Sequence, residues 1–302
     1  MVSVQSTRRR FVLGGAVMLG GIGTAGMSAA DDSNVRDEDR ASVRAVSYNV
    51  RFDNPEDEYS WDERFGRVVE MIRELDPDLL GIQEAMLNQY DDLREELDEF
   101  GWHAAGREDG DREGEMAPIA WRRDRFEALD TGEFWLSETP DEPGSIGWDA
   151  DLPRVTMWTR LRDRETDEEL WHYNTHFDHI GERARLESAR ILRERAGEHV
   201  PDGLPVVVTG DFNAPPFSEP YCAVVEDVET DDPPLVDARR VADAVSGPEG
   251  TFHEFSPDLQ DRIDYVFVPE SVPVREYRAV PDQVGAYRSD HLPLLTVLDP
   301  WT

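Results

Sequence analysis

The 302-residue chain contains no lysine. All 31 of its basic side chains are arginine, against 66 Asp and Glu, for a formal net charge of −35. That shortage of positive charge excludes a generalised basic surface as the means of attracting a polyanion. Cysteine is almost absent too. Cys222 stands alone, so no internal disulfide can form, and it lies far from the N-terminus, where a lipid-attachment cysteine would be. There is no internal repeat, no Walker loop, no dinucleotide-binding glycine motif and no Cys/His zinc spacing, so nothing points to the nucleotide- or zinc-dependent classes those motifs mark.

What is present argues for a folded chain. Eight Trp and clear hydrophobic runs separate it from disordered acidic sequences. The acidic surplus instead suits a strongly hydrated surface working in concentrated salt. Such salt screens charge within a few Å, so the negative total leaves a phosphate-bearing substrate possible. At the N-terminus, Thr7-Arg8-Arg9-Arg10-Phe11-Val12-Leu13 reads as a twin-arginine export signal. An uncharged Gly-rich run follows to Met27, with small residues for cleavage at Ser28–Ala30. The expectation is a targeting segment over 1–30, a flexible acidic linker over 31–41 and one domain over 42–302. The mature protein is then exported, has no membrane span and is a monomer.

Within that domain the patterns alternate between strand and helix. Val43–Val50, Asp78–Glu84, Val206–Thr209, Arg262–Val268, Val274–Val280 and Leu292–Leu298 read as strands. Ile119–Trp121, Arg125–Leu129 and Glu133–Leu136 read as sequential strands, and Val155–Leu161 with Glu169–His176 as a hairpin. Ser60–Leu75, Leu87–Phe100 and Gly181–His199 have helical spacing, and the stretch before Gly250 reads as loop. One α/β domain containing two sheets is the simplest architecture.

Six of these places share one grammar, a hydrophobic strand with a hard oxygen ligand or a histidine at or near its end. They are Asn49, Gln83-Glu84, Asn174-Thr175-His176, Asp211-Phe212-Asn213, Asp264 and Asp290-His291. Each alone has an ordinary reading, as a turn residue, a first-turn acid or a packed histidine. Together they compose a site for a hard divalent cation and a phosphate. Glu84 can anchor the metal, with Asn49 adding a neutral oxygen or holding a metal-bound water. Asp211 can orient and deprotonate water, and Asn213 and His176 can donate to phosphoryl oxygens. His291 can act as base or donor, with Asp264 as its partner. Arg154 and Arg288 have only charge and proximity in favour of a phosphate contact. His179 and Asp178 are left to packing.

The segments SYNVRFDN (Ser47–Asn54), GIQEA (Gly81–Ala85), YNTHFDH (Tyr173–His179), GDFNAPP (Gly210–Pro216), RIDYVF (Arg262–Phe267) and RSDHLPL (Arg288–Leu294) resemble the endonuclease/exonuclease/phosphatase superfamily. The likeness runs from about Val43 to Leu298, with its secreted and deadenylase-like branch suggested by Phe134–Pro140. It implies a four-layer α/β sandwich, two packed mixed sheets flanked by helices, and a Mg²⁺- or Mn²⁺-dependent phosphoesterase. Asn49, Glu84 and Asp290 would serve the metal, His176, Asp211, Asn213, Asp264 and His291 the chemistry, and Asn174 and Arg154 the substrate. The expected function is an exported nuclease of 3′–5′ exonuclease type acting on nucleic acid. The alternatives are a phosphomonoesterase or phospholipase C-type enzyme on a small or lipid phosphate ester and, last, a non-catalytic acidic binding protein.

Overall fold

Alternation along the strands decides which residues face which layer. In the computed structural model, which describes residues 42–200, 203–226 and 235–300, thirteen strands form two sheets. The targeting segment and linker expected over 1–41 lie outside the described residues. Numbered in chain order, the first sheet runs β10 (Ala244–Ser246), β12 (Val274–Ala279), β13 (Leu294–Leu298), β1 (Val43–Asn49), β2 (Leu79–Gln83), β4 (Ile119–Arg122) and β3 (Phe100–His103). The second runs β5 (Phe126–Trp135), β6 (Val155–Asp163), β7 (Glu169–His176), β8 (Val206–Asp211), β11 (Asp264–Pro269) and β9 (Leu235–Asp237). Both are mixed: β1–β2 and β7–β8 are parallel, whereas β1–β13 and β8–β11 are antiparallel.

On β1, Val43 and Ala45 belong to the core between the sheets, while Val46 and Tyr48 meet the outer helices. On β8, Val207 faces inward and Val206 and Val208 outward. Helix α1 (Trp61–Leu75) packs Val68, Val69, Ile72 and Leu75 against the first sheet, near α2 (Leu87–Glu96). Helix α3 (Glu182–Gly197) lays Ala189, Leu192 and Ala196 on the second, beside α4 (Glu219–Val225). Each fully buried Val, Leu or Ile contributes about 1.5–3 kcal/mol, which holds the four layers together. The result is the expected sandwich.

The inward rows change character toward one end. Ser47 and Asn49 continue the inward face of β1, Gln83 that of β2, Asn174 and His176 that of β7, Thr209 and Asp211 that of β8, and all are buried. The core therefore becomes polar where these strands end. At the last apolar–polar step, a Cβ added to Gly81 would stand 2.1 Å from Thr209 Oγ1 and 2.3 Å from Asn174 Oδ1, so the sheets approach too closely for any side chain.

Three expectations change. The second helix ends at Glu96, and Phe100 begins edge strand β3, where Gly101 leaves room for the Trp121 ring. Arg125–Leu129 and Glu133–Leu136 join into the single strand β5, with an irregularity between Ala128 and Asp130 that breaks the alternation. The region before Gly250 also holds α4, β9, a one-turn helix at Ala238–Val241 and β10, each too short to carry a period.

Candidate active site

Register brings the chemistry together. His176 pairs with Asp211 across the parallel β7–β8 ladder, and Asp211 pairs with Asp264 across the antiparallel β8–β11 ladder, so three functional groups sit side by side. From the facing sheet, Asn49 lies opposite Gln83 at the ends of β1 and β2. Glu84 follows with φ +62°, and Arg51 and Asn213 are left-handed as well, at +58° and +46°. For Arg and Glu that conformation costs roughly 1–2 kcal/mol each, and it turns the Glu84 side chain off the strand's alternation toward the cleft. Phe212 packs outward on Phe177, Tyr265 and Phe267, which fixes the segment between Asp211 and Asn213.

The Asn49 amide donates to Glu84 Oε1 and to Asp211 Oδ2, both at 2.9 Å, and its oxygen accepts the Arg51 backbone N–H. Asn49 thus belongs to the cluster as a bridge between carboxylates, with its oxygen taken up by the Arg51 backbone N–H. His291 Nδ1 lies 2.9 Å from Asp264 Oδ2, which also accepts from Thr251 Oγ1, and His291 Nε2 lies 3.7 Å from Asp211. His176 Nε2 is 3.1 Å from Asn213 Nδ2, 3.7 Å from Asp211 and 4.0 Å from Glu84. The cleft these groups floor has a volume of about 900 Å³.

Charges divide the two histidines. Burial pushes both down, and Arg154 and Arg107 hold His176 well below the usual range, hence neutral. Asp264 and Asp211 overcome burial at His291 and hold it well above that range, hence protonated at neutral pH. Donor groups flank both ring nitrogens of His176, Arg154 Nη1 at 3.1 Å from Nδ1 and Asn213 Nδ2 at 3.1 Å from Nε2. Burial, then the Asp264 charge, pushes the Asp211 carboxyl up to about 7. Burial and then the Glu84 charge, working against the favourable His291, raise Asp290.

A divalent cation fits this donor set. Ligand atoms of Glu84, His176 and Asp211 lie within 4.8 Å of one another, as do those of Asp211, Asp264 and His291. The raised Asp211 and Asp290 carboxyls and the unpartnered, buried Asp264 Oδ1 mark a surplus of negative charge that a hard cation relieves. Asp211 belongs to both groups, and Glu84 and Asp290 are further candidate ligands on either side of Arg51.

Two substrate expectations fare differently. Arg154 is buried at the cleft wall, braced on His176 and, through Nη2, on His179 Nδ1 at 3.0 Å. Asn174 does not reach the cleft. Two residues before His176 on the same inward row, it is fully buried, donating to Ile82 O, Ala117 O and Pro118 O and accepting from Gln83 and Thr209. It fastens the sheets together. Arg288 is paired with Asp282 and lines a separate depression. Asp178 caps a turn by accepting the Ile180 and Gly181 N–H groups.

Sequence reasoning passed over four residues of the cleft. Arg51 stands 3.9 Å from Glu84 and 3.7 Å from Asp290, bridging the two metal candidates; its place inside SYNVRFDN was the available signal. Arg107 pairs with Glu115 at 2.8 Å, and Glu115 is 3.8 Å from His176 Nδ1, in a loop without periodicity that gave no signal. His179, assigned to packing, lines the cleft.

A fold of two packed sheets whose shared end gathers carboxylates, amides and histidines fit to hold a divalent cation is that of a phosphoester hydrolase. The chain belongs to the Endonuclease/Exonuclease/phosphatase family, whose profile matches residues 46–291. A solved endonuclease/exonuclease/phosphatase from Bacteroides vulgatus is 38% identical, with 86% of this chain and 99% of that one covered and a TM-score of 0.81. A mannosyl-6-phosphatase from Bacteroides thetaiotaomicron is 35% identical over 85% of this chain and 99% of that one, with a TM-score of 0.78. Protein angel homolog 2 of Mus musculus is 26% identical over 65% of this chain and 39% of its own length. Matches to two uncharacterised proteins of Acanthamoeba polyphaga mimivirus span 60% and 29% of their lengths.

Proposed function

We propose that this chain is a Mg²⁺- or Mn²⁺-dependent phosphomonoesterase acting on small phosphorylated molecules outside the cell. The observation that carries the small-substrate reading is the placing of charge. The cleft's three arginines are each set against an acid: Arg51 on Asp57, and Arg107 and Arg154 on Glu115. Beyond them the arginines are dispersed among twice as many acids. One phosphate can be gripped there, but a long polyanion finds no track. The likeness to a mannosyl-6-phosphatase, over 85% of this chain, supports the same reading.

In the proposed reaction, Asp211 orients a water and takes its proton as the water oxygen bonds to phosphorus and the ester P–O bond breaks, and the departing oxygen takes up a proton and leaves as the alcohol. The raised proton affinity of Asp211 suits that task. Asn213 and His176 donate to the phosphoryl oxygens, and protonated His291, braced by Asp264, supplies a further donor. A divalent ion held by Glu84 and Asp290 would neutralise the developing charge.

The nuclease reading uses the same groups and rests on the motif set around His176. A panel in high salt with Mg²⁺ or Mn²⁺ separates the two: p-nitrophenyl phosphate, bis-p-nitrophenyl phosphate, hexose phosphates, single-stranded RNA, DNA and phosphodiester lipids. Monoesters are expected to turn over fastest, and EDTA and Glu84→Ala each to abolish activity. Preference for bis-p-nitrophenyl phosphate and nucleic acid would overturn the monoesterase reading, and activity surviving both EDTA and Glu84→Ala would remove the metal. Export rests on the arginine-led leader; the described residues contain no helix long and apolar enough to cross a membrane. The N-terminus of protein recovered outside the cell tests it.

A further inference from the structure

Residues 253–256 form a tight turn at the mouth of the cleft. The Ser256 N–H donates to His253 O at 2.7 Å, and the two residues between them, Glu254 and Phe255, have φ +48° and +56°. Two positive φ values in succession mark a type I′ turn, whose preferred occupants are Asn-Gly. Glu-Phe is a poor choice on backbone grounds, so the side chains call for an explanation. Phe255 has a packing reason, its ring lying 5.4 Å from that of Tyr59 with the Arg64 guanidinium 5.7 Å away. Glu254 has none. It is exposed, and the one hydrogen bond to its carboxylate among the described residues comes from Gln260 at 3.2 Å.

The turn is nonetheless built into the catalytic frame. Thr251 donates to Asp264, the His253 N–H donates to Asp290 O, and the Phe252 ring stands 4.9 Å from that of His291. Phe252, Glu254 and Phe255 all line the same cleft as His176 and Asp211. An exposed carboxylate at the cleft mouth, beside two aromatic residues of the same lining, is suited to a neutral, polyhydroxylated body. The carboxylate accepts O–H donors, the rings cover C–H faces, and a second phosphate is repelled.

We infer that Glu254 is a specificity-determining residue that accepts hydroxyl groups of a sugar-type leaving group, with Phe252 and Phe255 forming the wall it lies against. This rests on the phosphomonoesterase reading. The test compares kcat/KM for a hexose 6-phosphate with that for p-nitrophenyl phosphate, in wild type, Glu254→Asn and Glu254→Gln. Asn tolerates the left-handed conformation, so Glu254→Asn removes the carboxylate while easing the turn, and its Tm should be no lower than wild type. The ratio favouring the hexose phosphate should fall at least about tenfold in both variants, the low end for losing a hydrogen bond to a charged group. A ratio within twofold of wild type overturns the assignment. Wild-type protein that cleaves p-nitrophenyl phosphate but no hexose phosphate overturns it too, and leaves the phosphomonoesterase reading standing. Wild-type protein that cleaves no monoester removes both.

Discussion

Asp211 sits between His176 and Asp264 on three neighbouring strands, so one carboxylate faces both an imidazole 3.7 Å away and a like charge. That crowding is what makes His291 costly to lose: its positive charge is the nearest compensation for Asp211 and Asp264. His291→Ala should lower kcat by at least about 10²-fold, as expected for removing a charge-stabilising or proton-holding group. A near-wild-type rate in single-turnover assays would show that His291 has no part in the chemistry. At this scale the sequence was most informative where a strand delivers a side chain directly. Asp211, His176 and Asp264 inherit their direction from alternation, which can be read from residue order. Asn49 could be placed in the cluster, but the direction its amide faces is set by the Arg51 N–H and two carboxylates from other strands. Glu115 and Arg107 come from a loop whose path no local pattern records.

The long strands and helices were legible because each buries one face, and burial imposes a period. The elements missed are those with too few residues to show one, such as β3, β9 and α4, or with a broken alternation, as in β5. Asn174 shows how an element's position overrides a motif's suggestion. It belongs to the YNTHFDH segment, yet its place on the inward row of β7 puts it between the sheets, short of the cleft. Replacing it with Ala leaves several buried groups without partners and should cost at least about 2 kcal/mol of stability, read as a lower urea midpoint in high salt. KM for p-nitrophenyl phosphate should not move. A raised KM at unchanged stability would return Asn174 to substrate binding.

Across the whole molecule, an excess of 66 acidic over 31 basic side chains makes the folded surface repel itself wherever salt is dilute. Unfolding followed by circular dichroism should show Tm rising steeply between low and molar KCl, with loss of structure on transfer to low salt. A Tm indifferent to salt would remove the concentrated-salt reading. The contact at Gly81 has a mechanical consequence as well. With Thr209 and Asn174 pressed against a residue that has no side chain, the two sheets touch at a fulcrum a few residues from Glu84 and Asp211. Any rocking of one sheet over the other would pivot there, with displacements growing toward distant edges such as β5 and β10 and staying small at the cleft. The outer edges are thereby free to change in length while the spacing between carboxylates contributed by opposite sheets stays fixed.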